Sequence, residues 1–298
     1  MYAGVDIGGT KTDVVLTDLD GVIAHRHRVA SGQGNDEVIA AAVAAMNAVC
    51  QQAGIGVADV ATIGVGVPGA VIDGVVSHAY NLGIERLDVA SRLAEAWGKT
   101  PLVDNDVNNA ALGAWVLGGH GARSMAFLNL GTGLAAGIVL DGKVWRGRRG
   151  AAGEIGHISI DPAGPIDSDG TAGAIETYAS GSGIVRQWGA SGMTAQEILS
   201  AATSGDPAAE VIRDRLFFGV ASAVRVLVLT LDVDEVVIGG GLTGWGSPLM
   251  AGTIGLLDDW QERSAFLRSL ELSERVRVLD TDQPVAAIGA AMMGAGRG

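Results

Sequence analysis

The sequence is short of cysteine, of proline and of positive charge. Its 298 residues hold one cysteine, Cys50, so no disulfide can form within the chain, and the composition suits a reducing compartment. Cys50 falls in the alanine-rich run AAVAAMNAVCQQAG and reads as a small buried hydrophobe on a helix. Lysine and arginine number 20 against 33 aspartates and glutamates, a formal net charge of −13. That balance is the opposite of a nucleic-acid binder's, and the densest basic stretch is WRGRRG at 145–150. No uninterrupted apolar run reaches the ~18 residues of a membrane helix. The nearest case, VASAVRVLVLTLDVDEVVIGG, is broken by Arg225 and then by acids, and reads as a buried helix followed by a strand. The opening MYAGVDIGG has no basic region and meets Asp6 early, unlike a signal peptide. These absences predict a cytoplasmic protein with neither nucleic acid nor membrane as partner.

What is present is apolar residues, at 48%, and glycine, 46 residues against 7 prolines. The composition is that of a packed globular protein, and the length is comfortable for two domains. Two segments share a plan, YAGVDIGGTKTDVVLTDLDGVIAHRHRV (2–29) and SMAFLNLGTGLAAGIVLDGKVWRG (124–147). Each reads as a strand, a glycine–threonine turn, a second strand, an Asp-Gly hairpin turn and a third strand. An internal duplication follows, with each domain opening on a β-meander. Helical patterns over 35–54, 87–98, 175–188, 194–203, 207–231 and 248–263 alternate with strands near 60–69, 101–105, 234–241 and 275–280. The expected class is α/β. The expected domains are 1–118, joined by a last helix at 284–298 that packs back on it, and 119–283.

Three glycine-rich turns carry the first chemical signal. DIGGTKT (6–12) follows a strand inside a hairpin, so it is neither a Walker loop nor a dinucleotide-binding fingerprint. Gly8 and Gly9 let backbone N–H groups approach phosphate oxygens, Thr10 offers a hydroxyl, Lys11 a charge, and Asp6 is placed to hold Mg²⁺ through water. The duplicate turn, Gly131-Thr132-Gly133, is expected to face the same phosphates from the other domain. The strand VVIGGGL (236–242) ends in Gly239, Gly240 and Gly241, a flat backbone platform past which adenosine can lie. A fourth stretch, DNDVNN at 104–109, puts five carboxylate and amide side chains into six positions between two apolar segments. Helix capping accounts for one or two of them.

With VGVPG, DNDVNNAALGAW, GEIGH and VVIGGGL in that order after DIGGTKT and the duplicate turn, the chain resembles the ROK family of sugar kinases. That family lies within the actin-like, ribonuclease-H-like ATPase superfamily, and the resemblance runs essentially from Tyr2 to the final helix. It implies two ribonuclease-H-like domains with a cleft between them, and ATP-dependent phosphorylation of a hexose with ATP and Mg²⁺ as cofactors. By the match, Asp106 is the general base on the sugar hydroxyl, and Asn105 binds a neighbouring hydroxyl. Glu154 and His157 of GEIGH take adjacent hydroxyls, Glu176 also reaches the sugar, and Gly69 and Asn81 lie near the same hydroxyls. Glucose or a glucose-like hexose, phosphorylated on its 6-hydroxyl, is the expected substrate. An amino or N-acetylated hexose (kanosamine, N-acetylglucosamine, N-acetylmannosamine) is the alternative, and a non-catalytic sugar sensor a minor one. A homodimer is the family expectation, and polyphosphate stays open as a donor.

The sequence departs from the family at one place. Many ROK proteins bind zinc through the histidine of GEIGH and three cysteines ahead of the glutamate. Here those three positions hold Asp167, Asp169 and Ala174. Tetrahedral structural zinc needs four good nitrogen or sulfur donors, so no zinc site is expected. Asp167 and Asp169 are left as candidates for a hard cation or for the ammonium group of an amino sugar.

Overall fold

The computed structural model describes residues 1–119, 121–189, 192–279 and 282–296. Arg297 and Gly298, at the end of the expected last helix, and Asp280, at the end of the expected 275–280 strand, lie outside them. The class is α/β, and the chain divides into two compact units. The first comprises Met1–Ser124, Gly137–Ala152 and Thr281–Gly298; the second comprises Met125–Ala136 and Gly153–Asp280. The segment Gly137–Ala152, grouped by sequence with the second domain, therefore packs with the first.

In the first unit the chain runs β1 (Tyr2–Ile7), β2 (Lys11–Thr17), β3 (Ile23–Ala30), α1 (Gly34–Ala53), β4 (Ile63–Val67), β5 (Ala70–Ile72), β6 (Val75–Ala79), β7 (Ile84–Asp88), α2 (Val89–Trp97), β8 (Leu102–Asn105) and α3 (Asp106–Leu117). The main sheet has the order β3-β2-β1-β4-β8. The β1–β2–β3 meander is antiparallel, whereas β1, β4 and β8 run parallel. Strands β5, β6 and β7 form a separate antiparallel sheet, which the sequence reading did not foresee.

The helix ends follow local chemistry. The Asp88 carboxylate accepts the Ser91 N–H at 2.9 Å and starts α2, which Gly98 closes at φ +66°. Along α1 the buried positions Val38, Ile39, Ala42, Ala45, Met46 and Val49 recur every three or four residues, the stripe of a one-faced helix. They meet Ala3, Val5, Leu16, Ile63 and Val65 of the sheet in one apolar core.

The second unit and the strands shared with the segment at Gly137 follow: β9 (Ser124–Leu130), β10 (Leu134–Leu140), β11 (Lys143–Val144), α4 (Ile175–Ala179), α5 (Gly181–Trp188), α6 (Ala195–Thr203), α7 (Pro207–Leu231), β12 (Glu235–Gly239), α8 (Ser247–Arg263), α9 (Ala265–Arg268) and β13 (Val276–Val278). Its sheet has the order β11-β10-β9-β12-β13, with β9, β12 and β13 parallel. The single helix expected over 175–188 is two. Ser180 sits in an extended conformation between them, and its Oγ accepts the Gly183 N–H at 2.9 Å to cap α5. Helix α7 starts on the Asp206 cap with Pro207 in the first turn.

The last helix, α10 (Val285–Gly294), belongs to the first unit. It lies against β1, β4 and α3 with almost no spacing. A Cβ at Gly4 would stand 1.8 Å from the Ala287 carbonyl oxygen, one at Gly64 1.9 Å from that of Ala290, and one at Gly113 2.0 Å from that of Val285. Much of the glycine in this chain serves backbone-on-backbone packing. No helix among the described residues is long and apolar enough to cross a membrane.

Candidate active site

In the first unit the candidate residues gather at the carboxyl ends of the parallel strands, where open α/β sheets bind ligands. Asp6 pairs in register with Gly66, and Gly66 with Asp104. Two strand spacings, roughly 10 Å, thus separate the backbones of Asp6 and Asp104. Beyond β1, the turn through Gly8, Gly9 and Thr10 is pinned from behind. The Gly8 N–H donates to the Lys11 carbonyl at 2.9 Å, and Ser31 Oγ donates to the Gly8 carbonyl at 2.6 Å. Thr10 and Lys11 are exposed at its tip.

Beyond β4 comes Gly69, at φ +98°, where a Cβ would strike the Ser77 carbonyl oxygen at 2.5 Å. Only glycine fits there. Asn81 lies beside the Gly8–Thr10 turn, its Nδ2 3.0 Å from where a Gly9 Cβ would be.

Beyond β8 the polar stretch resolves residue by residue. Asp104 is buried. Its Oδ1 accepts from the Asn105 N–H at 2.7 Å and from Asn108 Nδ2 at 3.0 Å, and its Oδ2 from Arg146 Nε at 2.7 Å. Asn105 is the N-cap of α3, its Oδ1 accepting from Val107 and Asn108 N–H, and its Nδ2 donates to the Gly69 carbonyl at 3.1 Å. One hydrogen of the Asn105 amide is thereby committed to the fold. Asp106 is the first residue of α3, half-buried, with Oδ1 accepting the Val107 N–H at 3.0 Å.

Asp6 and Asp106 feel each other. The half-buried Asp6 carboxyl is pushed up to about 7, by desolvation first and then by the negative charges of Asp106 and Asp13, with Arg28 opposing. Burial works to raise Asp13 too, but hydrogen bonds from Arg26 and Arg28 overcome it and hold that carboxylate below its usual range. A carboxyl whose proton affinity is raised by burial and, after that, by two neighbouring anions fits a divalent cation, which would relieve the repulsion.

In the second unit, Gly131-Thr132-Gly133 follows β9, and its carbonyls are tied to the start of α5. Gly181 N–H donates to Gly131 O at 2.9 Å, and Ser182 N–H to Thr132 O at 3.0 Å. The glycines after β12 lie alongside. Gly239 pairs in register with Asn129, and Gly240, at φ +92°, approaches Leu130 so closely that a Cβ would sit 2.6 Å from its carbonyl. A cavity of about 620 Å³ opens between these turns, lined among others by Thr132, Ser182, Arg186, Gln196 and Gly241. Arg186 and Gln196 escaped the sequence reading, since each looks like an ordinary polar position on a short helix.

Glu154, His157 and Glu176 are also brought together. Desolvation raises the Glu154 carboxyl first, the His157 charge opposes this, and the Glu176 charge adds to it. The Glu154 side chain is nonetheless exposed, so water screens much of this. Glu176 Oε2 accepts the Leu134 N–H at 2.8 Å, which ties it to the backbone next to the Gly131–Gly133 turn. His157 Nδ1 lies 3.1 Å from Asp169 Oδ2, leaving Nε2 as the nitrogen turned to other partners.

The zinc-type donor set is not assembled here. The positions of the family's thiolates hold two carboxylates and the buried methyl group of Ala174. The donors His157, Asp167 and Asp169 number three with no sulfur among them, which does not fit a closed tetrahedral zinc centre.

The ROK family profile matches residues 2–292, and the chain belongs to the ROK family. It is 32% identical over 272 residues to a glucokinase of Halalkalibacterium halodurans, covering 84% of this chain and 82% of that one. It is 33% identical over 257 residues to the N-acetylgalactosamine kinase AgaK of a Shewanella species, covering 82% of each. Among solved structures it resembles a ROK family glucokinase from Streptomyces griseus in complex with glucose and AMPPNP, with 28% identity, 99% of each chain covered and a TM-score of 0.77. The fold is that of the actin-like ATPases, and the chain is a phosphotransferase of the sugar-kinase kind.

Proposed function

We propose that this sugar kinase transfers the γ-phosphate of ATP to the 6-hydroxyl of glucose or a glucose-like hexose, with Asp106 as general base. The observation that carries the reading is the placement of Asp106 and Asp6. Asp6 lies near the carboxyl end of β1 and Asp106 just past that of β8, the two strands flanking β4, close enough for the charge of Asp106 to raise the proton affinity of Asp6. Phosphoryl transfer needs little covalent help from protein. It needs an in-line nucleophile, neutralised phosphate oxygens and an acceptor for the hydroxyl proton.

Asp106 accepts that proton as the sugar oxygen forms its bond to the γ-phosphorus and the bond to the β,γ-bridging oxygen breaks. The second amide hydrogen of Asn105 is offered to a neighbouring hydroxyl, with Gly69 and Asn81 beside it. Glu154, Glu176 and His157 Nε2 are the second unit's own candidates for ring hydroxyls. The Gly9 N–H, the Thr10 hydroxyl and the Lys11 charge serve phosphate oxygens, while the Gly8 N–H, already donated to the Lys11 carbonyl, shapes the turn; in the second unit Thr132 and Gly133 are the matching candidates, and the Gly131 N–H is donated to the Gly133 carbonyl. Gly241 borders the cavity proposed to take the nucleoside, and Gly239 and Gly240 lead the chain to it. Asp6 would be the residue to hold Mg²⁺, which would supply positive charge to the nucleotide phosphates.

The similarity to an N-acetylgalactosamine kinase supports a second reading, an amino or N-acetylated hexose as acceptor. One experiment addresses both. ADP release is followed over a panel of sugars with ATP, for wild type and Asp106→Asn. The expected result is ADP release with glucose or a close relative of it, and a kcat lower by about 10²–10⁴-fold in the variant at unchanged thermal midpoint. An N-acetylated or amino sugar as sole substrate selects the second reading. Equal ADP release by wild type and variant overturns Asp106 as the general base, and no sugar-dependent ADP release by wild type leaves a sugar sensor.

A further inference from the structure

We infer that Gln196 sets the choice of nucleobase: its side-chain carbonyl accepts a hydrogen bond from the 6-amino group of adenine and disfavours purines with an oxygen at that position. This deepens the proposed function and rests on its reading of the cavity between the second unit's glycine turns as the nucleoside site.

Gln196 stands in the first turn of α6 and lines that cavity. A reciprocal cap fixes the start of the helix. The Thr194 N–H and hydroxyl donate to Glu197 Oε2 at 2.7 and 2.8 Å, and Thr194 Oγ1 accepts the Glu197 N–H at 3.3 Å. From this anchored backbone the Gln196 amide reaches the turn after β12, where Nε2 donates to the Gly241 carbonyl at 3.2 Å. A carbonyl oxygen only accepts, so the nitrogen is the end of the amide that faces it. Gly244 leaves the space for this contact, since a Cβ there would stand 3.0 Å from the same Nε2. The amide is thereby held in one of its two orientations. Its Oε1 has no hydrogen-bond partner among the described residues.

The neighbouring polar side chains do not compete for this role. The Thr194 hydroxyl is spent on Glu197, and the Ser182 hydroxyl donates to the Thr132 carbonyl at 2.7 Å. Arg186, on the same cavity, can only donate. Adenine and hypoxanthine have the same outline and differ at position 6, where one carries an amine and the other a carbonyl. An amide oxygen facing the amine gains a hydrogen bond. Facing the carbonyl, two acceptors meet and both stay unpaired.

The probes are ADP and its inosine counterpart IDP, titrated calorimetrically into the protein without sugar. Wild type is expected to bind ADP at least about tenfold more tightly than IDP. Gln196→Ala should weaken ADP by about five- to tenfold and leave IDP within about twofold, so that the preference collapses. Gln196→Lys puts a donor in place of the acceptor and should move the ratio further towards IDP. Gln196 is exposed, so the thermal midpoints of both variants should match that of wild type. Equal affinity of wild type for ADP and IDP, or an unchanged ratio in both variants, overturns the inference. Sugar-dependent transfer from ATP is measured separately. Transfer by a wild type that does not discriminate between the bases sinks the role of Gln196 alone. No binding of ADP by wild type sinks the nucleoside reading of the cavity with it.

Discussion

Asp6 is the residue whose ionisation the fold opposes most openly. Its carboxyl rises from 3.8 to about 7, so the folded chain holds this proton more tightly than the unfolded chain does. Stability from this group is fully present below about pH 4, falls as the pH climbs towards 7, and is flat and lowest above that. The rise sets an upper bound of roughly 4 kcal/mol. Asp6→Asn should therefore be more stable than wild type at about pH 8 in metal-free buffer, with the advantage shrinking towards about pH 5. Urea unfolding of both proteins across that range checks it, and parallel curves would contradict it. The same residue shows how far the site was legible. Asp6, Asp106 and the glycine turns are candidates because each stands in a short motif. The ties of Asp104 to Arg146 and of Glu176 to Leu134 N–H each span 42 residues, and nothing local announces them.

Elements were legible where their ends are chemically marked. The Asp88, Thr194 and Asp206 caps and the Gly54 and Gly98 stops lie within a turn of what they terminate. The β5–β6–β7 sheet was missed because its strands are three to five residues long and carry no sustained alternation of buried and exposed positions. The break between α4 and α5 depends on a contact with the turn after β9. The groove that receives α10 was equally silent, since a glycine that makes room for a distant carbonyl looks like any other. Gly64→Ala tests that groove: its methyl group would stand 1.9 Å from a backbone oxygen, where only the helix itself can move. A loss of about 1–3 kcal/mol or more is expected in urea unfolding. Gly121→Ala, with nothing within 4 Å of the new atom, should change stability by less than about 0.5 kcal/mol.

At the scale of the molecule, each unit carries its own apolar core, and the first is assembled from three separated pieces of chain. Within α10, Ala287, Ile288, Ala290, Ala291 and Met292 are fully buried. Deleting residues 281–298 should strip the groove on β1, β4 and α3 and leave the first unit unable to close. The measurement is soluble yield and near-ultraviolet circular dichroism, and a truncated protein with a native-like spectrum would refute the dependence. Synthesis at about 5–20 residues per second separates the emergence of β4 from that of α10 by roughly 10–45 s. Throughout that interval the nascent sheet carries a bare, glycine-floored trough, which α10 is the last element to cover.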